Sequence, residues 1–227
     1  MKIILLSLLF VSCAQTPAIF PFQNKDIEFS TPDSLTEQPI QVIRREFWQV
    51  QNSGNLLRNT PEATLSLWIY QNGEQDTKQD LMGISVGAKN VPKITSRASI
   101  RVYPEGRLFG VARAGDLEPE QNIMTAPVIT KNTWHHVLMI IDYTKDEMRF
   151  FLDGNEVPTK GLVDFKAEKT SNTASRSIVI GAEDDGSVNH FKGIIKDVRV
   201  WRRKLTEIEI TTLAKKLKSG EKLEMGM

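Results

Sequence analysis

One segment of the chain concentrates the oxygen-bearing side chains that bind calcium. It runs from Glu183 to His190 with the sequence EDDGSVNH, and it lies between two predicted strands. Calcium takes roughly six to eight oxygen ligands in a flexible arrangement, and the candidate ligands here are Asp184, Asp185 and Asn189. The spacing is not that of an EF-hand loop, and Asp-Asp-Gly is also a common solvated turn. The segment therefore predicts either a calcium site or an acidic turn.

Two further patterns are typical of catalytic or metal sites but lack the required context. Residues 83–87 match the G-x-S-x-G pattern of a nucleophile elbow around Ser85. An elbow needs a strand, a sharp turn and a helix, and Pro92 follows too soon for a helix to form. His135 and His136 are adjacent, so on a strand their side chains point to opposite faces and cannot share one metal ion. Neither pattern predicts a catalytic residue.

Aromatic side chains that are not part of predicted core strands are the groups that would stack on a sugar ring. The candidate ligand-binding residues on this basis are Tyr103, Trp48 and Phe109. Tyr103 precedes a proline in a predicted turn and therefore lies near the rim, whereas Trp48 can equally be buried on an edge strand. An indole buries a large apolar area, so three other tryptophans are predicted to be core side chains: Trp68, Trp134 and Trp201.

The N-terminus has the outline of a signal peptide, with one lysine, an apolar run from Ile3 to Val11 and then the only cysteine, Cys13. The run is too short to span a bilayer. Residues 10–13 resemble the lipobox of bacterial lipoproteins, in which the cysteine is diacylated and becomes the new N-terminus, although Phe10 stands where leucine is more usual. The alternative is an ordinary secretory peptide with an incidental cysteine. The resemblance implies a lipid-anchored envelope protein, exported to the outer membrane or cell surface.

Composition excludes one large class of partner. The chain has 29 basic and 28 acidic residues among 227, a formal charge of +1, and 40% hydrophobic residues. This is the composition of a globular protein without the basic field that attracts nucleic acid. With one cysteine the chain can form no internal disulfide, so its stability must come from core packing.

Short β-rich runs separated by turn residues dominate the chain, while βαβ alternation is absent. Asp153-Gly154 is the strongest hairpin signal. A capping box from Thr206 to Glu209 precedes apolar residues at helical spacing and predicts one helix near the C-terminus. The predicted strands lie at residues 26–29, 40–50, 64–70, 81–87, 99–103, 107–113, 134–143, 147–153, 176–182 and 193–201.

Three segments in this order resemble the laminin-G-like, concanavalin A-like jelly-roll family in its bacterial form. They are residues 64–69 (TLSLWI), residues 132–137 (NTWHHV) with the later FLDG, and residues 191–201 (FKGIIKDVRVW). The resemblance implies an all-β sandwich of two antiparallel sheets with one short C-terminal helix. It divides the chain into a signal peptide (1–12), a lipidated tether (13–25), the sandwich (26–218) and a tail (219–227).

The family binds sugars or proteins at its rim or concave face, sometimes with calcium, and it also contains glucanases. Those enzymes carry an E-x-D-x-x-E type motif, which this sequence lacks; its nearest string, Glu207-Ile208-Glu209, begins the predicted helix, where acids favour the helix dipole. We therefore expect a non-catalytic module that recognises carbohydrate or protein, with calcium as the one candidate cofactor. The alternatives are a structural or assembly subunit of an envelope complex and an unusual glycoside hydrolase.

Overall fold

The computed structural model describes residues 40–42, 47–50, 53–87, 96–176, 178–183 and 188–215. Cys13, Asp184, Asp185 and the predicted strand at 26–29 lie outside these residues, so the lipid anchor and two of the three calcium candidates stay predictions. No helix within the described ranges is long and apolar enough to cross a membrane.

Apart from one α-helix and two short 3₁₀ turns, the regular structure of the described chain is β-strand. The strands and the single α-helix are, in chain order, β1 (Ile40–Val42), β2 (Trp48–Val50), β3 (Glu62–Gln71), β4 (Gln79–Ser85), β5 (Ser96–Tyr103), β6 (Arg107–Ala112), β7 (Gln121–Pro127), β8 (Trp134–Asp142), β9 (Glu147–Leu152), β10 (Asn155–Val157), β11 (Thr159–Lys160), β12 (Ile178–Ile180), β13 (Gly193–Trp201) and α1 (Glu207–Lys215).

These strands make two antiparallel sheets. The six-stranded sheet has the order β1-β13-β3-β8-β9-β10, and the seven-stranded sheet has the order β11-β7-β6-β5-β4-β12-β2. Strands distant in sequence, such as β3 and β13, are neighbours in space, which is the long-range pairing of a two-sheet jelly roll. The prediction of an all-β antiparallel sandwich with one C-terminal helix is confirmed.

Alternation along the strands builds the core between the sheets. On β3, Leu65, Leu67 and Ile69 are fully buried in this core, so the residues between them point to the outer face. Gly110 on β6 shows how closely the layers approach: a Cβ there would lie 2.5 Å from Met139 Sδ of the opposite sheet. The two sheets therefore pack directly against each other at this point.

The helix covers part of the outer face of the six-stranded sheet. Its first turn carries the predicted capping box, because Glu209 N–H donates to Thr206 Oγ1 (3.3 Å) and Thr206 N–H donates to a Glu209 carboxylate oxygen (2.8 Å). Ile210 and Leu213 of the helix then join a second apolar cluster on β8, β9, β13 and the segment after β13: Leu138, Ile140, Phe151, Trp201 and Leu205. This explains why β8 is apolar on both faces.

The predicted hairpin turn at Asp153-Gly154 is confirmed, and three strands were missed. Asp153 (φ 52°) and Gly154 (φ 87°) form the two-residue connection between β9 and β10, with positive φ at both positions as a type I′ turn requires. The sequence did not predict β7, β10 or β11. Each lies at or next to a sheet edge, where half the side chains face solvent and the apolar signal is weak.

Candidate functional site

Tyr103 and Phe109 lie side by side on the outer face of the seven-stranded sheet. Ile100 and Val102 of β5 point into the core, so alternation places Tyr103 on the opposite face. Phe109 on β6 pairs with Arg101, which makes it the diagonal neighbour of Tyr103. The two ring centroids are 4.6 Å apart and the planes are inclined by 37°, while both side chains remain partly exposed.

The pair is exposed because it lies at the open end of this face. The turn Pro104–Gly106 joins β5 to β6 directly beside Tyr103, whereas Ser99 and Val111, farther along the same two strands, are fully buried. Met124 on β7 pairs with Phe109 and is also partly exposed. The result is a small aromatic surface at the rim, between β5 and β7.

The charges beside the aromatic pair are balanced within the chain. The Arg101 guanidinium donates from Nε to Asp80 Oδ1 (2.8 Å) and from a terminal nitrogen to Ser96 Oγ (3.0 Å). Arg107 donates from Nε to Glu105 Oε2 at 3.1 Å. Both arginines face a carboxylate, so this surface offers stacking and hydrogen bonding without a strong net field.

Trp48 does not join the pair. It lies on β2, the edge strand of the same sheet, opposite Ile180 of β12, and its half-buried ring packs against the core. Three strand spacings of about 4.8 Å separate β2 from β5. Of the three aromatic residues predicted to contact a ligand, the fold therefore brings only Tyr103 and Phe109 together. Trp48 fits the alternative prediction, a partly buried side chain on an edge strand.

The predicted calcium segment is described only at its ends. Asn189 donates its amide Nδ2 to Glu183 Oε2 (2.9 Å), and the Lys78 ammonium lies 2.8 Å from Glu183 Oε1. Lys78 is also 3.8 Å from Asp80 Oδ2. These described carboxylates are thus already compensated by a lysine and do not fit an additional cation well. The calcium hypothesis now depends on Asp184 and Asp185, which lie outside the described residues.

Among the described residues, no catalytic arrangement forms around Ser85. Its side chain is 1% exposed and its Oγ has no hydrogen-bond partner there, so none of the described side chains acts on it as a base. Among the residues of β4, β5 and β6 the only carboxylate is Asp80, and it is held by Arg101. A glycosidase needs two carboxyl groups about 5–10 Å apart, one of them able to give a proton. The second described carboxylate near Asp80 is Glu183, and both contact the Lys78 ammonium, which favours their ionised forms over a proton donor.

The adjacent histidines lie on opposite faces, as predicted. His135 Nε2 accepts from Thr130 N–H (3.2 Å), and its Nδ1 lies 2.9 Å from Asp153 Oδ2. His136 Nε2 lies 2.8 Å from Ser66 Oγ on the outer face, and burial lowers the pKa of His136 to about 4. Within the described residues, no three histidine, cysteine or acidic side chains cluster as metal ligands would.

The tryptophans differ from the core prediction in one case. Trp68 and Trp201 are buried, at 2% and 7% exposed, although both lie on the outer face of the six-stranded sheet. Trp134 is only half-buried, so the core prediction is wrong for it. The reason is that β9 pairs with β8 only from Val137 onward and leaves the start of β8 without a neighbour on that side.

Comparison with known proteins identifies a family with this architecture. A sequence profile described as "Concanavalin A-like lectin/glucanases superfamily", of the laminin G type, matches residues 48–211. The Ruminococcus gnavus IT-sialidase CBM40 bound to α2,3-sialyllactose superposes with a TM-score of 0.55 at 18% identity, over 70% of this chain and 85% of that one.

Two larger proteins contain a similar sandwich. The receptor-binding domain of botulinum neurotoxin C/D mosaic serotype has a TM-score of 0.51 at 11% identity, over 74% of this chain and 39% of that one. Trypanosoma rangeli sialidase has a TM-score of 0.51 at 13% identity, over 70% of this chain and 23% of that one. At these identities the similarity establishes a shared fold.

Proposed function

The chain belongs to the concanavalin A-like lectin/glucanases superfamily, and from that premise we propose that it is a non-catalytic carbohydrate-binding module. Its ligand contacts the aromatic pair Tyr103 and Phe109 at the rim of the seven-stranded sheet. The superfamily includes both binding proteins and enzymes, so the choice between them depends on the residues of this site.

The observation that carries the proposal is the pair itself. Two partly exposed rings, 4.6 Å apart and inclined by 37°, form a shallow angled surface. Aromatic faces stack on the apolar C–H side of a sugar ring, and Tyr103 adds a hydroxyl that can hydrogen-bond to it. The neighbouring Arg107–Glu105 pair adds exposed polar groups beside the rings that can hydrogen-bond to a ligand.

Similar proteins support a binding role. The Ruminococcus gnavus module is described as bound to α2,3-sialyllactose, and the neurotoxin fragment is described as a receptor-binding domain. Such names support a carbohydrate or a protein as the partner of this chain. The buried Ser85, and the pairing of Asp80 with Arg101 and of Glu183 with Lys78, favour binding over hydrolysis.

We also propose that the module is held at the cell envelope. The support is the apolar N-terminal run that ends at Cys13 with a sequence similar to a lipobox. A diacylated cysteine supplies two acyl chains, which is sufficient for stable membrane anchoring. Labelled palmitate should enter the wild-type chain and not the Cys13→Ala variant; equal labelling of both would refute the anchor.

The binding proposal is tested by calorimetric titration with α2,3-sialyllactose, lactose and cellotetraose. We expect at least one of these sugars to bind, and Phe109→Ala to weaken that binding by at least about tenfold, as removal of a central aromatic contact does. Tyr103→Phe keeps the ring and removes the hydroxyl, so it should have a smaller effect than Tyr103→Ala.

Phe47→Ala is the matched control. Phe47 is an exposed phenylalanine, at 39%, that lies beside His190 and not beside the pair. Its substitution should leave sugar affinity unchanged. Equal losses in Phe47→Ala and Phe109→Ala, or unchanged binding in Phe109→Ala, would contradict the proposed site. Release of reducing sugar from the oligosaccharides would show hydrolysis and refute the non-catalytic assignment.

A further inference from the structure

The turn between β5 and β6 contains a residue in an unusual backbone conformation. Glu105 has φ 68° and ψ 10°, which lies in the left-handed region. The other non-glycine residues with positive φ in the described chain are all asparagine or aspartate, which tolerate this region because their short side chains hydrogen-bond locally. Within the described residues, only Glu105 places a longer side chain in it.

Contacts from two other segments hold the turn in this conformation. Glu105 N–H donates to the Gln75 carbonyl at 3.1 Å. The Gly106 carbonyl accepts from Val128 N–H (3.0 Å) and from Ile129 N–H (2.9 Å). Gln75 Nε2 also donates to the Ile129 carbonyl at 3.1 Å, which ties the two segments together. The surrounding backbone therefore sets the conformation at position 105, whatever its side chain.

The Glu105 side chain belongs to the rim beside the aromatic pair. Arg107 pairs with Tyr103 across β5 and β6, and strand alternation places it on the same face as Phe109. Its Nε donates to Glu105 Oε2 at 3.1 Å. The carboxylate and the guanidinium therefore border the end of the face where the two rings are exposed.

The ion pair leaves one acceptor and one donor unused within the described chain. Both side-chain hydrogen bonds of Arg107, from Nε and from Nη2, end on the same atom, Glu105 Oε2. Glu105 Oε1 and Arg107 Nη1 make no hydrogen bond among the described residues. The Glu105 side chain is 64% exposed and that of Arg107 is 39% exposed, so a ligand can reach both atoms.

An adjacent acceptor and donor fit two neighbouring hydroxyl groups of a sugar. A hydroxyl both donates and accepts, so one hydroxyl can donate to Glu105 Oε1 while the next accepts from Arg107 Nη1. Hydrogen bonds with an ionised partner are roughly twice as strong as neutral ones. A sugar carboxylate has no proton to give to Glu105, is repelled by it, and must compete with it for Arg107.

Charges of both signs surround the pair at longer range. They are Arg101 with Asp80, Asp76 with Lys192 and Lys131, Glu74, and Lys160 on β11. Salt screens exposed charges over about 8–10 Å, so this mixture produces no strong field of either sign at the rings. The choice between a neutral and an acidic sugar therefore depends on the groups in direct contact, which are Glu105 and Arg107.

We propose that Glu105 determines the class of sugar at this site, because its carboxylate accepts a hydrogen bond from a hydroxyl group of a neutral sugar that stacks on Tyr103 and Phe109. Residues held in sparsely populated backbone conformations cluster at ligand sites, where the rest of the fold offsets their cost in stability. The proposal rests on the carbohydrate-binding function proposed above and adds to it a preference for neutral over acidic sugars.

Calorimetric titration of the wild type and Glu105→Gln with lactose and α2,3-sialyllactose tests the preference. The second sugar adds an acidic residue to the first. We expect the wild type to bind lactose at least about tenfold tighter than sialyllactose. Glutamine keeps one accepting oxygen but removes the charge, so the variant should bind lactose about threefold more weakly and reduce the ratio of the two affinities to below about threefold. An unchanged ratio would overturn the proposal.

Cellotetraose is the second neutral sugar in this test. If it binds and lactose does not, its affinity takes the place of that of lactose in both comparisons. Sialyllactose binding to the wild type as tightly as the better neutral sugar would also overturn the preference.

Glu105→Asn separates binding from stability. Asparagine adopts the left-handed conformation more readily than glutamate, but its side chain is one methylene shorter. The urea midpoint of the variant should therefore rise, while its affinity for the neutral sugar falls by at least about fivefold. A residue with a merely structural role would not give these opposite changes. An unchanged or lower midpoint would overturn the argument from strain, and an unchanged affinity would overturn the contact.

Glu156→Gln is the matched control. Glu156 on β10 is an exposed glutamate that accepts from Arg149 Nη1 at 3.2 Å, on the other sheet of the sandwich. Its substitution should change neither sugar affinity. Equal effects of Glu105→Gln and Glu156→Gln would overturn the present proposal, while a loss of binding in Phe109→Ala would still support the proposed function. Absence of binding by all three sugars would refute that function and this proposal with it.

Discussion

Asp153 holds His135 from the turn that joins β9 to β10: its Oδ2 lies 2.9 Å from His135 Nδ1, while its Oδ1 accepts the backbone N–H of His136 at 2.8 Å. Because Thr130 N–H donates to His135 Nε2, the proton must be on Nδ1 in the neutral ring. One carboxylate in a tight turn therefore fixes the start of β8, next to Trp134.

Asp153→Asn should destabilise the fold through this contact. Asparagine tolerates the positive φ of the turn but can accept with only one side-chain oxygen, so one of the two hydrogen bonds is lost. We expect a loss of about 1–3 kcal/mol in the unfolding free energy, measured by urea titration. Asp164→Asn, which affects only an exposed pair with Lys166, should change it by less than about 0.5 kcal/mol. Equal effects would contradict this role.

The unfolding free energy should decrease as the pH is lowered, because His136 is buried in the folded chain. Burial lowers the pKa of His136 from its ordinary value of 6.5 to about 4, so the unfolded chain takes up its proton first as the pH falls. Stability is therefore complete above about pH 6.5 and decreases towards pH 4, by a total of about 3 kcal/mol. Urea titrations at pH 7.5, 6 and 4.5 measure the slope.

His136→Leu is the comparison for that slope. Leucine cannot take up a proton, so the variant should lose less stability between pH 7.5 and 4.5 than the wild type, even if it is less stable at pH 7.5. Asp116 and Asp142 have pKa values below the usual 3.8 and lose their contributions only at lower pH. Parallel pH profiles for wild type and variant would contradict the prediction.

The contribution of the Thr206 helix cap to the unfolding free energy should be measurable. Thr206→Ala removes the Oγ1 that accepts Glu209 N–H and should cost about 1 kcal/mol. Thr212→Ala, in the same helix, removes only an exposed bond to the Ile208 carbonyl and serves as the matched control, with a change near zero. A cap variant as stable as the control would show that packing of Ile210 and Leu213 alone holds the helix.

Calcium binding, if the loop after Glu183 provides it, should be weak. We expect a dissociation constant of roughly 10⁻⁴–10⁻³ M, as in extracellular modules, and its loss in the Asp184→Asn, Asp185→Asn double variant. Lys78→Met should tighten calcium binding, because the ammonium that now pairs with Glu183 (2.8 Å) would no longer repel the ion. Calorimetry that detects no calcium binding to the wild type would refute the hypothesis.

The exposure of the Tyr103–Phe109 pair could be predicted from the sequence, and the exposure of Trp134 could not. Tyr103 and Phe109 were predicted as aromatic side chains not assigned to the core, Tyr103 also from its position at a turn, and they lie together. Trp134 was assigned to the core because large aromatic side chains in apolar strands are usually buried. Whether a neighbouring strand covers it depends on where β9 stops pairing with β8, and no local pattern encodes that end point.

The sequence by itself determined the local structure: the strand pattern, the Asp153-Gly154 turn and the Thr206–Glu209 cap all follow from interactions between residues a few positions apart. The tertiary structure decided which strands are neighbours. Only the pairing of β3 with both β8 and β13 brings Tyr70, Trp134 and Lys196 together, across sequence separations of more than 60 residues. Such long-range register is set by the packing of the whole sandwich, because a shift of one residue would turn every core side chain outward.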